Sequence, residues 1–151
     1  VSYPHPAVAA ELREFFVCAR VDITADRGAA RQARVLWTPT LQFWSRHGIP
    51  LRESVGFLPP LLLLQQLRLA RALDALRSAR FDQAQALFQQ VAETEEAREL
   101  APEALYWVGI AGYLRDRDHA ALRRAWRPLR ERFPASSWAA RTEYSDPEAG
   151  E

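Results

Sequence analysis

The sequence predicts an α/β region followed by an all-α region, and three observations carry that fold class. Up to Pro60 the chain mixes short helical runs with stretches in which apolar residues recur at every second position, the period of a strand. From Leu61 onward the period becomes helical and stays so. At 151 residues with 48% hydrophobic content, the chain has material for one good core or two small ones and is too short for a large multidomain enzyme.

The first helix is expected to open at Pro6, which suits an opening helical turn, and to carry the amphipathic run Ala7, Val8, Ala10, Glu11, Leu12 and Glu14. Residues 15–23 read as a strand with Phe15, Val17, Ala19, Val21 and Ile23 on one face and Phe16 and Cys18 on the other. Thr24-Ala25-Asp26 supplies N-caps for a helix through Ala29, Ala30 and Ala33. Thr38-Pro39-Thr40 forces an extended or turn conformation and delivers the chain to a strand at 41–44; His47-Gly48 then turns it into a second strand at 51–55, forming a hairpin. Gly56-Phe57-Leu58-Pro59-Pro60 ends the sheet.

In the helical region Leu63, Leu67, Ala70, Leu73 and Leu76 make one stripe, broken at 78–81. Asp82 is the expected N-cap of a second helix with Ala84, Leu87, Phe88 and Val91 inward. Glu93, Glu95, Glu96 and Glu99 read as a solvated helix end and loop, since no nearby His or Asp completes a cation's ligand set. Ala101-Pro102-Glu103 starts a third helix whose Leu105, Tyr106, Trp107, Val108, Ile110, Tyr113 and Leu114 leave little polar surface. Gly109 and Gly112 within it lower helix propensity by up to ~1 kcal/mol each, a loss that close approach of a neighbouring helix would offset. Asp118 is the expected cap of a fourth helix with Leu122, Ala125, Trp126, Leu129 and Phe133 inward and a kink at Pro128.

Composition narrows the function classes. Twenty basic residues against nineteen acidic ones give a formal charge of +1, which excludes strong bulk attraction to nucleic acid or an anionic membrane. Every basic residue is Arg, and Lys, Asn and Met are absent, a pattern that reads as the codon bias of a GC-rich, bacterial genome. Arg123, Arg127 and Arg130 share a face of the fourth helix, but Asp116, Asp118 and Glu131 dilute the stripe, and nucleic acid is disfavoured as a partner. The single Cys18 excludes an internal disulfide and any Cys-x-x-Cys pair within these residues; in an apolar strand it reads as a small buried core residue. His5, His47 and His119 stand at unrelated spacings and give no metal site. No apolar run reaches the ~18 residues of a membrane span, and no export signal opens the chain, so a cytoplasmic location is expected.

Ala79-Arg80-Phe81 with Ala84, Phe88 and Val91 resembles the turn and second helix of a tetratricopeptide unit, and Gly109, Ala121, Ala125 and Pro134 partly resemble another. The 37 residues from Ala84 to Ala121 exceed that family's 34-residue period. Residues 16–22, then Val35-Leu36-Trp37-Thr38-Pro39-Thr40-Leu41-Gln42-Phe43, then His47-Gly48, Arg52 and Val55-Gly56-Phe57 resemble the carboxy-terminal two-thirds of a thioredoxin-like domain. The resemblance implies a cis Pro39, with Trp37, Thr38 and Pro39 as a candidate peptide-binding edge and Gly48, Gly56 and Gly109 as structural glycines across the two regions. It also implies a strand and a redox Cys-x-x-Cys that these residues do not include.

The reading is therefore a partial thioredoxin-like fold over 1–64, tetratricopeptide-like helical hairpins over 65–141 and a flexible tail over 142–151. Its expected role is a non-catalytic protein-interaction module, with a protein partner or a homodimer and no cofactor. The alternative is the C-terminal part of a thiol-disulfide oxidoreductase whose dithiol lies upstream of Val1.

Overall fold

A computed structural model describes residues 2–143 as helices with one small two-stranded antiparallel sheet. The chain divides into two compact units at Ala70/Arg71, a boundary that falls inside one helix. In order the elements are α1 (Pro6–Phe15), α2 (Arg27–Gln32), β1 (Thr40–Trp44), β2 (Pro50–Val55), α3 (Pro60–Arg77), α4 (Phe81–Ala92), a 3₁₀ turn (Glu95–Leu100), α5 (Ala101–Asp116), α6 (His119–Arg132) and α7 (Ser137–Ala140). The tail expected from 142 lies, beyond Glu143, outside the described residues.

In the first unit, Val8 of α1, Phe43 of β1 and Leu63, Leu64, Leu67 and Ala70 of α3 form the core, with Leu12, Phe16, Leu41, Leu51 and Leu58 packed against it. Burying each large aliphatic side chain contributes roughly 1.5–3 kcal/mol, so this cluster holds the hairpin to α1 and α3. The hairpin register pairs Thr40 with Val55, Leu41 with Ser54, Gln42 with Glu53 and Phe43 with Arg52, then slips so that Trp44 meets Pro50. Arg52 Nε donates to Gln66 Oε1 at 2.8 Å, tying β2 to α3.

The strand expected over 15–23 does not form. Phe15 ends α1, and residues 16–22 belong to no helix or strand, with Val17 fully exposed and Val21 and Ile23 exposed as well. Alternating apolar residues permit a strand but do not make one: its N–H and C=O groups need a neighbour, and among the described residues β1 is paired with β2 alone. The burial expected of Cys18 fails with it, and the thiol is exposed.

Helix α4 starts one residue before Asp82, which lies in its first turn, while Arg80 is the N-cap. The reason is the way α3 ends. Ala79 sits at φ 57° in the left-handed region, with Ala79 N–H on the Leu76 carbonyl and Arg80 N–H on the Ala75 carbonyl, a Schellman closure that turns the chain before Asp82 is reached.

The second unit is built on α5, which packs against both α4 and α6. Gly109 lies directly under the Trp126 ring: a Cβ there would meet Trp126 Nε1 at 2.4 Å and Cδ1 at 2.6 Å. The indole N–H donates to the Tyr106 carbonyl at 2.9 Å, and the Trp126 and Tyr106 rings stack at 5.2 Å. Trp107 stacks on Phe88, and Trp138 of α7 closes on Tyr106. α6 continues through Pro128 to Arg132. Asp118 caps α6 by accepting from Ala120 N–H, and Ser136 caps α7 by accepting from Ala139 N–H. Thr142 is fully buried, its hydroxyl donating to the Ala139 carbonyl.

Candidate functional site

Trp37, Thr38 and Pro39 come together on the surface where β1 begins. The Thr38–Pro39 peptide is cis. The Pro39 carbonyl accepts from Gly56 N–H at 2.8 Å, and the Thr40 hydroxyl donates to the Trp37 carbonyl at 2.6 Å, so both sides of the cis bond are pinned. Gly56 has φ 95°, a conformation that suits glycine, and it swings the chain out of β2 as Phe57 begins. Thr38 contributes neither its N–H nor its C=O to any hydrogen bond among the described residues.

Around this loop the apolar surface is dense. Leu36 is 95% exposed, Trp37 69% and Phe57 67%, and Val55 beside Thr40 is exposed too. Every exposed large apolar side chain among the described residues lies between Tyr3 and Leu61; the second unit has none. Leu36, Val55 and Phe57 were not among the candidates drawn from the sequence. The signal that bears on them is local: apolar residues set among Gly, Pro and Thr at a turn have no strand or helix face to bury them.

At the far end of the hairpin, Ser45 N–H donates to the Ile49 carbonyl at 2.8 Å, and Gly48 turns the chain at φ 74°. Gln42, Trp44, Pro50, Leu51, Arg52 and Glu53 line a shallow open groove there. The end of α2 is tied to β1 through Gln42 Nε2, which donates to the Ala33 carbonyl and to Glu53 Oε2, each at 2.7 Å.

Upstream of α2, the Asp22 carboxylate accepts from the Thr24 hydroxyl and from the backbone N–H groups of Thr24 and Ala25. These bonds, the Thr24 hydroxyl foremost, hold its carboxyl below the usual range.

The remaining sequence candidates lie in the second unit as structural groups. Gly109 is the contact point of α5 with Trp126. Arg123 and Arg130 are half-buried, and Arg124 faces Asp118 at 3.5 Å, so the arginines of α6 do not present a continuous exposed row. Arg115 bonds Asp116 and reaches across to Asp82 and Gln85 on α4, which keeps its guanidinium firmly charged. Among the described residues no three His, Cys, Asp or Glu side chains converge as a metal site, and no helix is long and apolar enough to cross a membrane.

Comparison with family models, with curated proteins and with solved structures gives no match for this chain.

Proposed function

We propose that this chain is a non-catalytic protein-interaction module, thioredoxin-like in its first part and tetratricopeptide-like in its second, that docks an extended polypeptide at the Trp37–Thr38–Pro39 loop. The observation that carries the reading is the crowding of exposed Leu36, Trp37, Val55 and Phe57 around a cis Thr38–Pro39 peptide whose Thr38 backbone groups are free. An extended peptide satisfies such backbone groups by strand-like pairing, while apolar side chains flanking the loop supply the area. Exposed contiguous apolar surface is the usual mark of an interaction site.

Titration with a short synthetic peptide of alternating valine and threonine, followed by tryptophan fluorescence, tests this. Saturable binding that Trp37→Ser weakens supports the reading, and binding indifferent to Trp37→Ser contradicts it. The competing thiol-disulfide activity is tested with the same preparation: reduction of insulin disulfides by dithiothreitol above the uncatalysed rate, abolished by Cys18→Ser, would overturn the non-catalytic assignment.

A further inference from the structure

We infer that residues 17–39 act as a strap that opens and closes as one piece, and that closing it through Gln42 presents the docking loop; this rests on the interaction reading above and adds its regulation. None of these 23 residues is buried, and only Ala29, Ala30, Ala33 and Val35 are half-buried. The flanks are fixed: the Phe16 ring meets that of Phe43 edge to face at 6.4 Å, and Thr40 enters the ladder opposite Val55. A segment that buries so little apolar area opens at a small fraction of the cost of the core around it.

Inside the strap, α2 is closed at both ends by its own groups. Asp26 accepts from the Ala29 N–H at 2.8 Å, and Arg34, at φ 53°, ends the helix with the Val35 N–H on the Ala30 carbonyl. Six residues with no buried side chain fall well short of the ~12–15 that an isolated helix needs in water, so α2 keeps its form only while something outside it holds the strap. Among the described residues, the hydrogen bond that reaches α2 and its flanks from outside is the one from Gln42 Nε2 to the Ala33 carbonyl. Glu53 Oε2, across the hairpin, also accepts from Gln42 Nε2 and aims the amide.

The position of that bond sets its consequence. Ala33 is pinned to Gln42, and Thr40 lies in the same strand two residues earlier, so Leu36, Trp37 and Thr38 sit in a six-residue loop, 34–39, closed on β1 at both ends. With the bond broken, the same three residues belong to an excursion of 23 residues running back to Phe16. The probability of closing a loop falls as the three-halves power of its length, so the ordered loop is about sevenfold easier to reach with the bond in place. A peptide that pairs with the Thr38 backbone needs that order and, by linkage, holds the strap shut once bound.

Amide exchange and titration with the valine-threonine peptide test this together. In the free chain the amides of Ala30, Ala33 and Val35 should exchange faster than those of Leu41 and Phe43, and Gln42→Ala should speed them by about three- to tenfold while Leu41 and Phe43 stay unchanged. The same variant is expected to weaken the peptide by about three- to tenfold. Asp26→Ala removes the cap at the far end of the strap and alters no residue of the hairpin, so it should weaken the peptide too, whereas Asp26→Asn, which keeps the capping oxygen, stays within about twofold of the parent. In the parent chain, saturating peptide should slow exchange at Ala30, Ala33 and Val35, a readout that does not depend on any variant folding. Exchange there as slow as at Leu41 and Phe43, or unaltered by the peptide, overturns the inference, as does equal binding by the parent, Gln42→Ala and Asp26→Ala. If Trp37→Ser weakens the peptide and neither strap variant does, the docking loop stands and the strap falls; no binding of the peptide to the parent chain overturns both.

Discussion

Among the described residues, the first unit leaves a dozen large apolar side chains exposed beside its small core, whereas in the second they are buried or half-buried. Leu36, Trp37 and Phe57 stand in solvent in one, while Trp126, Phe88 and Leu129 are fully buried in the other. The composition of both regions is rich in aromatics, so hydrophobicity alone does not explain the contrast. Backbone accounting does. Helices α4, α5 and α6 satisfy their own hydrogen bonds and need only a neighbour's side chains, whereas a strand needs another strand, and among the described residues β1 has one partner for two edges.

Substitutions in the second unit should therefore act on stability. Trp126→Ala, which empties the space over Gly109 and removes the bond to the Tyr106 carbonyl, is expected to cost about 3–5 kcal/mol in urea unfolding followed by far-UV circular dichroism. A loss under about 1 kcal/mol would mean that the α5–α6 packing is not the core described here. Gly109→Ala tests the same contact from the other side. Its new methyl would press on the indole ring, for an expected loss of about 1–3 kcal/mol.

Ala79→Gly should stabilise by about 1 kcal/mol, because glycine adopts the left-handed turn after α3 without the steric penalty of a Cβ. In the first unit, by contrast, Leu36→Ser is expected to change stability by no more than about 0.5 kcal/mol, since a side chain already in water loses nothing on becoming polar. A large loss there would break the contrast by showing that Leu36 is covered in solution.

The smallest expected effect concerns pH. The Asp118 carboxyl is held below its usual range by the backbone N–H groups of Ala121 and Ala120 at the start of α6. Its folded pKa is thus lower than its unfolded one, so its contribution is present above the ordinary carboxylate range and fades as pH falls through the lowered value. Asp118→Asn, which keeps an acceptor without the charge, should flatten that part of the acid-unfolding profile, and an unchanged profile would remove Asp118 from the account.

How far the sequence could be read follows the same division. The helices of the second unit were legible because their apolar residues recur at three and four and their neighbours along the chain are their neighbours in space. The spacing of Ala84, Leu87, Phe88 and Val91 is enough to orient α4, and all four are buried. The hairpin was legible from Thr38-Pro39, His47-Gly48 and the alternation between them. Residues 15–23 were misread because alternation describes side chains, while a strand is made by backbone partners that no local pattern reveals. The cap falls at Arg80, two residues before Asp82, because a left-handed Ala79 in place of the customary glycine gives no sequence signal that α3 closes where it does. At the candidate site, Thr-Pro-Thr marked the loop, but the exposure of Leu36 and Phe57 depends on what does not pack over them.

The most direct test of the central claim, that the first unit docks an extended polypeptide at the Trp37–Thr38–Pro39 loop, is amide hydrogen exchange resolved by residue. In the free chain the Thr38 amide should exchange freely while Leu41, Phe43 and the interior of α5 are protected; with the extended valine-threonine peptide bound, the Thr38 amide should slow. Protection of the Thr38 amide in the free chain, or no change there on peptide binding, would contradict the account.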